Sequence, residues 1–395
     1  MIDDYEVHLR LYDRNGQIKE PYIEPLAARW THSLDGDEPI TWTVEAGNPT
    51  AAGVAEFDIV EVMLRNRGLG IVAEDGGFVR DAVGIVRAWQ LDTDDNGITL
   101  YTFRAPEQKH IFNWRPVLYR AGTPGSTNFS AVPAETIVKT LVAQNCTAAA
   151  TVANGRLLDG DLAAMATSIV IESDQGRGNS LSPALAYGLL LGIWQRLRPR
   201  AGGDIDFQWQ GGAAGAGHYW TLAWRSPHLG SDRSSGAGRV VFSLENFTML
   251  RPRLIYQPAR ATAAAVGGRA GDDGERIFEV VFGPDWAAGN DIQAFVDARD
   301  LSLPASLQDR GLQSLVADET RARERLDFDV AQTSDVFYSP VAVPGRAVYR
   351  LGDLVLAVYA GREQVHKIKT VVLDWQLRGE RPPLQIQVET DEVVA

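Results

Sequence analysis

The chain has 395 residues, 45% of them hydrophobic and 23% charged, with a formal net charge of −13 and pI near 5.0. That length allows a few domains of about 100–200 residues each. The acidic balance argues against a protein that grips nucleic acid by its phosphates, because such binders concentrate Lys and Arg, though not against a wall that DNA slides past.

In chain order, Tyr5–Tyr12 alternates like a strand and ends at the turn Asp13-Arg14-Asn15-Gly16. Strand patterns follow at Ala28–Ser33, Ile40–Glu45, Ile59–Arg65, Val83–Leu91 and Ile98–Arg104. Asn96-Gly97 between the last two is a strong hairpin signal, since both residues tolerate positive φ. Six strands with no helix between them predict a β-barrel or sandwich over 1–112. A helix is expected from Pro133-Ala134-Glu135 to Val142, with Ile137, Val138, Leu141 and Val142 on one side. A second is expected from Ser182-Pro183, carrying Leu185, Leu189, Ile193 and Leu197, with Pro199 as its stop. Strands Ile205–Gln210 and Tyr219–Arg225, around the Gly-rich loop 211–217, complete an α/β domain over 113–238. Strands resume at Arg239–Leu244, Leu254–Gln257, Thr262–Val266 and Arg276–Phe282, then a helical pattern runs from Pro304 to Arg325.

The last seventy residues return to period-two alternation: Leu326, Phe328, Val330; then Val371, Leu373, Trp375, Leu377; then Leu384, Ile386, Val388. Gly352-Asp353, Gly361 and Pro382-Pro383 punctuate them. The fold class expected is α+β, mainly β. Two barrels, 1–112 and the discontinuous 239–285 plus 326–395, flank the α/β domain, and 286–325 is a helical insertion in the second barrel. No period of 20–50 residues recurs, so a barrel at each end only hints at distant duplication.

The order of these segments, with Tyr349-Arg350-Leu351-Gly352-Asp353, Val240-Val241-Phe242-Ser243, Asn246 and Ala265-Val266-Gly267-Gly268 before Arg276-Ile277, resembles the tail hub (baseplate hub) proteins of tailed phages and related injection particles. The resemblance implies a structural protein without enzymatic chemistry, at the virion tail tip after assembly in a host cytoplasm. Three copies would form a ring at the distal end of the tail tube, offering six barrels to a hexameric tube. DNA would leave through its lumen without specific binding. Implied partners are the tail tube or distal tail protein ring, tail-tip or fibre proteins and a tape measure protein. Relatives with a long C-terminal extension carry hydrolase or receptor-binding modules there; the end at Val394-Ala395 leads us to expect none in this chain.

No catalytic, cofactor or metal residue is assigned. Asp92-x-Asp94-x-Asn96-Gly97 opens like an EF-hand loop, but the twelfth position is Phe103 and the flanks are strands, so a hairpin turn is expected. Gly267-Gly268-x-x-Gly271-x-x-Gly274 lacks the following helix a phosphate cradle needs. Asp204/Asp206 and Asp327/Asp329 could serve a glycosidase, yet each pair occupies one strand face, expected to point outward. The six histidines (His8, His32, His110, His218, His228, His366) have no zinc spacing. Cys146 reads as a buried hydrophobe in a reducing compartment. Trp42, Trp89, Trp209, Trp220, Trp224 and Trp375 are expected in cores or interfaces. The second reading is a glycan-binding or glycan-cleaving tail accessory protein. Met1-Ile2-Asp3-Asp4-Tyr5 is no signal peptide, and the longest apolar stretch, 183–194, is short of the ~20 residues that cross a bilayer. A soluble protein made in a cytoplasm is expected.

Overall fold

A computed structural model describes residues 5–67, 76–118, 127–162, 168–185, 187–211, 219–236, 238–271, 274–287, 289–317, 319–331, 336–343, 346–377 and 384–393. Eight strands fill the N-terminal region: β1 (Tyr5–Tyr12), β2 (Ile18–Ile23), β3 (Ala27–Ser33), β4 (Pro39–Glu45), β5 (Ile59–Asn66), β6 (Val79–Ile85), β7 (Ala88–Thr93) and β8 (Thr99–Pro106). They divide into a four-stranded sheet, β2-β1-β5-β6, and a run β3-β4-β8-β7 in a much larger sheet. The alternating residues Leu9, Leu11, Val60 and Val62 of the first meet Trp30, Trp42 and Phe103 of the second in one buried cluster.

The stretch 83–91, expected as one strand, is two. The chain leaves β6 at Ile85 and enters β7 at Ala88, crossing from one sheet to the other. Gly84 permits the crossing, since a Cβ there would stand 2.8 Å from the Ala105 carbonyl oxygen. Strand β2 was not foreseen; it is a mostly exposed edge strand containing Pro21, the position a sheet tolerates for proline.

The middle of the chain runs β9 (Thr127–Asn128), β10 (Val132–Pro133), α1 (Ala134–Cys146), β11 (Ile169–Ile171), β12 (Ser180–Leu181), β13 (Ala184–Leu185), α2 (Leu190–Ala201), β14 (Asp204–Gln210) and β15 (Tyr219–Arg225). Helix α1 begins where Pro133-Ala134 predicts it. Helix α2 begins at Leu190, not at Ser182. The residues before it are extended and pair with β9 and β10, so they are unavailable to a helix. Pro199 lies inside the last turn, and Gly202, at φ 64°, makes the stop. Both helices and the sheet β11-β15-β14 share a core containing Ile137, Leu141, Trp194, Phe207 and Trp220.

The last third contains β16 (Val241–Ser243), β17 (Met249–Gln257), β18 (Ala263–Ala270), β19 (Arg276–Phe282), β20 (Gln293–Asp297), α3 (Pro304–Val316), β21 (Arg323–Val330), β22 (Val336–Tyr338), β23 (Ala347–Tyr349), β24 (Leu354–Tyr359), β25 (Arg362–Gln376) and β26 (Leu384–Glu392). The expected helical run to Arg325 stops at Val316, and Arg323 already opens β21. Strands near 262–282, read as part of the second barrel, pair instead in a separate sheet, β19-β18-β20, which packs with α3 around Val266, Val281, Leu301 and Leu307. The reason is local: β20 and β19 sandwich β18 within forty residues, so its edges are already taken. Pro382-Pro383 and most of the Gly-rich loop (212–217) lie outside the described residues.

The fold is mainly β, but the described strands do not close into continuous barrels. Ten of them form one sheet, β17-β21-β26-β25-β3-β4-β8-β7, with β24 branching from β25 and β16 pairing with β24. Strands from the two ends of the chain meet where β25 pairs antiparallel with β3, Thr370–Gln376 against Ser33–Ala27. Among the described residues no helix is long and apolar enough to cross a membrane.

Candidate functional site: the shared sheet and its edges

Pairing fixes which side chains share a face, because residues directly opposite in a ladder point the same way. Ala28, Trp30 and His32 of β3 stand opposite Trp375, Leu373 and Val371. All are buried or nearly so, and Trp30, Leu373 and Val371 are fully buried. This apolar seam welds the two ends of the chain. A carboxylate beneath it adds directionality: Asp81 accepts from Trp30 Nε1 at 2.6 Å and the Tyr338 hydroxyl at 2.6 Å, and lies 3.1 Å from His32 Nε2. Burial alone would lower the His32 pKa, but the Asp81 carboxylate outweighs it and holds the pKa above the usual histidine value. Tyr5 donates to the Tyr338 carbonyl at 3.0 Å, so strands β1, β3, β6 and β22 converge on one polar node.

The opposite face is polar. One row crosses the sheet as Arg104, Thr41, Arg29, Asp374 and Gln385, and another as Ser33, Thr370, Glu389, Asp327 and Arg253. Several of its bases are matched to acids: Arg29 to Asp374 at 3.5 Å, Arg325 to Asp327 at 2.9 Å, Arg325 to Glu389 at 3.6 Å. Arginines already matched to carboxylates bind phosphates poorly, since each would have to surrender a partner.

Among the described residues the main run of the sheet ends in the edge strands β7 and β17, and its branch ends in β16. Every residue of β7 is exposed, including Trp89 at 60% and Leu91 at 46%. Trp89, expected in a core or an interface, is not buried within the single chain: it shares the core face with its partner Phe103 and meets the edge of the Tyr101 ring, centroids 5.7 Å apart. At the other edge Leu250 and Tyr256 are exposed, Tyr256 at 67%. An open edge with apolar side chains is a template for another strand.

The Tyr349–Asp353 turn docks the sheet to the middle of the chain. Gly352 sits at φ 84°, where a Cβ would overlap the Leu229 carbonyl. The Asp353 carboxylate accepts from Ser231 N at 2.7 Å and Arg350 N at 3.1 Å. Asp204, expected to point outward, is buried because Lys367 of β25 covers it at 2.7 Å. Burial would raise its pKa, but Lys367 and Arg198 hold it below the ordinary carboxylate range. Asp206 instead pairs with Arg225 at 2.7 Å, so the two aspartates have separate structural jobs. Asp94 caps the β7–β8 turn by accepting from Asn96 N and Ile98 N, and Gly97 has φ 79°. Cys146 is buried, and burial pushes its thiol up to about 12. Trp42, Trp209, Trp220, Trp224 and Trp375 are buried. Among the described residues no group of three His, Cys, Asp or Glu side chains could hold a metal ion. What the sequence could not reveal was the pairing of β3 with β25; alternation marks strands, not partners.

Residues 62–386 match the family model described as Siphovirus ReqiPepy6 Gp37-like protein. No curated protein matches the sequence. A tail protein from Neisseria meningitidis MC58 has the same fold at a TM-score of 0.55 and 10% identity, over 98% of this chain and 96% of that one. Prophage tail protein gp18 from Listeria monocytogenes EGD-e aligns over 97% of this chain and 94% of its own, at 10% identity. Its TM-score of 0.46 is too low to carry an argument.

Proposed function

Since this chain belongs to the Siphovirus ReqiPepy6 Gp37-like family, whose model matches residues 62–386, we propose that it is a structural hub of a phage tail. In this reading three copies form a ring at the distal end of the tail tube, presenting six sheet modules to a sixfold tube. The ring would contact the tube or distal tail ring above and tip, fibre or tape measure proteins below. The polar face of the ten-stranded sheet lines the lumen, and its acid-matched arginines let DNA pass without adhering.

The observation that carries this reading is the shared sheet itself, in which strands from both termini form one wall whose main run ends, among the described residues, at the edge strands β7 and β17. A wall of that kind is completed by copies of itself arranged head to tail around an axis. In this reading an N-terminal and a C-terminal module share one core, and the middle α/β domain and an inserted unit of β18–β20 with α3 each have their own.

Mass measurement across concentration, alone and with the tube protein, tests the proposal. Particles of three times 43.1 kDa, seen as rings by electron microscopy, are expected. A chain that stays monomeric under all these conditions, or that releases sugar from host polysaccharide, would overturn it in favour of the glycan-directed reading.

A further inference from the structure

The eight strands on the main run of the ten-stranded sheet fall into two halves that repeat one another strand for strand. The N-terminal half lies in the order β3-β4-β8-β7, and the C-terminal half in the order β17-β21-β26-β25. In each, the first two strands are antiparallel neighbours, and the last two form a hairpin that folds back so that its second strand pairs with the second of the half. β3 thus corresponds to β17, β4 to β21, β7 to β25 and β8 to β26. Burial sets the alignment. Pro39–Val44 and Arg325–Val330 share the same alternation, with Ile40, Trp42 and Val44 matching Leu326, Phe328 and Val330.

Pairings then carry the alignment across. Trp42 faces Phe103 and Phe328 faces Val388, while Trp89 faces Phe103 and Val371 faces Val388. Trp89 therefore corresponds to Val371, Leu91 to Leu373 and Asp92 to Asp374. On the other side, Arg29 faces Thr41 and Arg253 faces Asp327, so Arg253 corresponds to Arg29.

Within one chain the last strand of the C-terminal half, β25, pairs with the first strand of the N-terminal half, β3. The equivalent junction joins the last strand of the N-terminal half, β7, to the first strand of the C-terminal half, β17. One chain cannot make it, because these are the opposite ends of its sheet. We propose that β7 of one copy pairs antiparallel with β17 of a second copy of this chain, in the register of the internal seam. This inference rests on the ring reading and names its junction.

The register can be read off. Asp374 opposite Arg29 becomes Asp92 opposite Arg253; Leu373 opposite Trp30 becomes Leu91 opposite Leu254; Val371 opposite His32 becomes Trp89 opposite Tyr256. Two features of the chain that the alignment did not use agree with it. The ion pair of the internal seam, 3.5 Å between Arg29 and Asp374, reappears with the same polarity in residues that are both exposed. The large apolar side chains left bare at the two edges, Trp89, Leu91 and Tyr256, fall on the core face of the new junction, where cross-strand apolar pairs stabilise a sheet. The contact is heterologous, so it propagates around a closed ring.

Two variants test the register. Gln90→Cys with Ile255→Cys in one chain places cysteines directly opposite across the junction. Mild oxidation of the assembled protein should give covalent dimers and trimers on non-reducing gels. Gln90→Cys with Arg253→Cys, two residues out of register, should give several-fold less. Separately, Asp92→Arg should raise the concentration for half-assembly by about tenfold or more by setting like charges opposite each other, and adding Arg253→Asp should restore it. Rings that form without the Gln90–Ile255 cross-link, or that tolerate Asp92→Arg unchanged, would overturn the junction while leaving the ring standing. A wild-type chain that never assembles would overturn both.

Discussion

The two halves of the shared sheet are alike in strand order and opposite in circumstance. β25 lies mid-sheet with β26 on one side and β3 on the other, and its Val371 and Leu373 are fully buried. β7 occupies the same place in its half, has one neighbour, and exposes all six residues. The same topology therefore yields a core strand in one setting and a bare edge in the other. Burial here reports which neighbours are present rather than what the strand intrinsically prefers.

The sharpest way to break this comparison is to truncate matched residues. Leu373→Ala removes a fully buried side chain from the seam and is expected to cost about 2–5 kcal/mol in denaturant unfolding. Leu91→Ala, at the corresponding position, is 46% exposed and should change the isolated chain by no more than about 0.5 kcal/mol. Similar losses at both sites in dilute protein would mean that β7 is already covered.

Next in size is Asp81→Ala. It strips the acceptor from Trp30 Nε1 and the Tyr338 hydroxyl, each costing about 1–3 kcal/mol when left buried without a partner. Unfolding should become easier by a few kcal/mol, and separate transitions for the two ends of the chain would show that the node holds them together. The His32 interaction adds a pH dependence. Its pKa is raised in the folded chain, so its contribution is fully present below the unfolded value of about 6.5 and is lost as pH rises through the higher folded value. His32→Gln should flatten that part of the stability profile.

Strands with strict alternation, such as Pro39–Glu45 and Arg323–Val330, were legible in the sequence because burial of one face writes a period of two. The Asn96-Gly97 hairpin and the start of α1 were legible because turn and helix-end chemistry is local. What was not legible depended on distance along the chain. Nothing near Ala27–Ser33 indicates that its partner lies more than 300 residues away. Asp204 gives no local sign of Lys367, and Trp89 looks like any core tryptophan until its missing neighbour is noticed. The start of α2 was misplaced because Leu185 and Leu189 fit a helical stripe, while strand pairing at Ala184-Leu185 overrides it.

The smallest expected effect concerns Arg29. Its side chain is 57% exposed and that of Asp374 33% exposed, so the pair is weakened by solvent and should contribute about 0.2–1 kcal/mol. Arg29→Ala should therefore shift the urea midpoint slightly at low salt and hardly at all in high salt. The pair's value lies in selection: a slip of one residue would carry Arg29 from the polar face to the apolar one and expose Trp30 in its place. A charge pair on the outer face thus disfavours wrong registers more than it stabilises the right one. If Arg29→Ala instead cost more than about 2 kcal/mol, the pair would be stabilising the seam directly, and Asp92 opposite Arg253 would then have to be credited with holding copies together rather than aligning them.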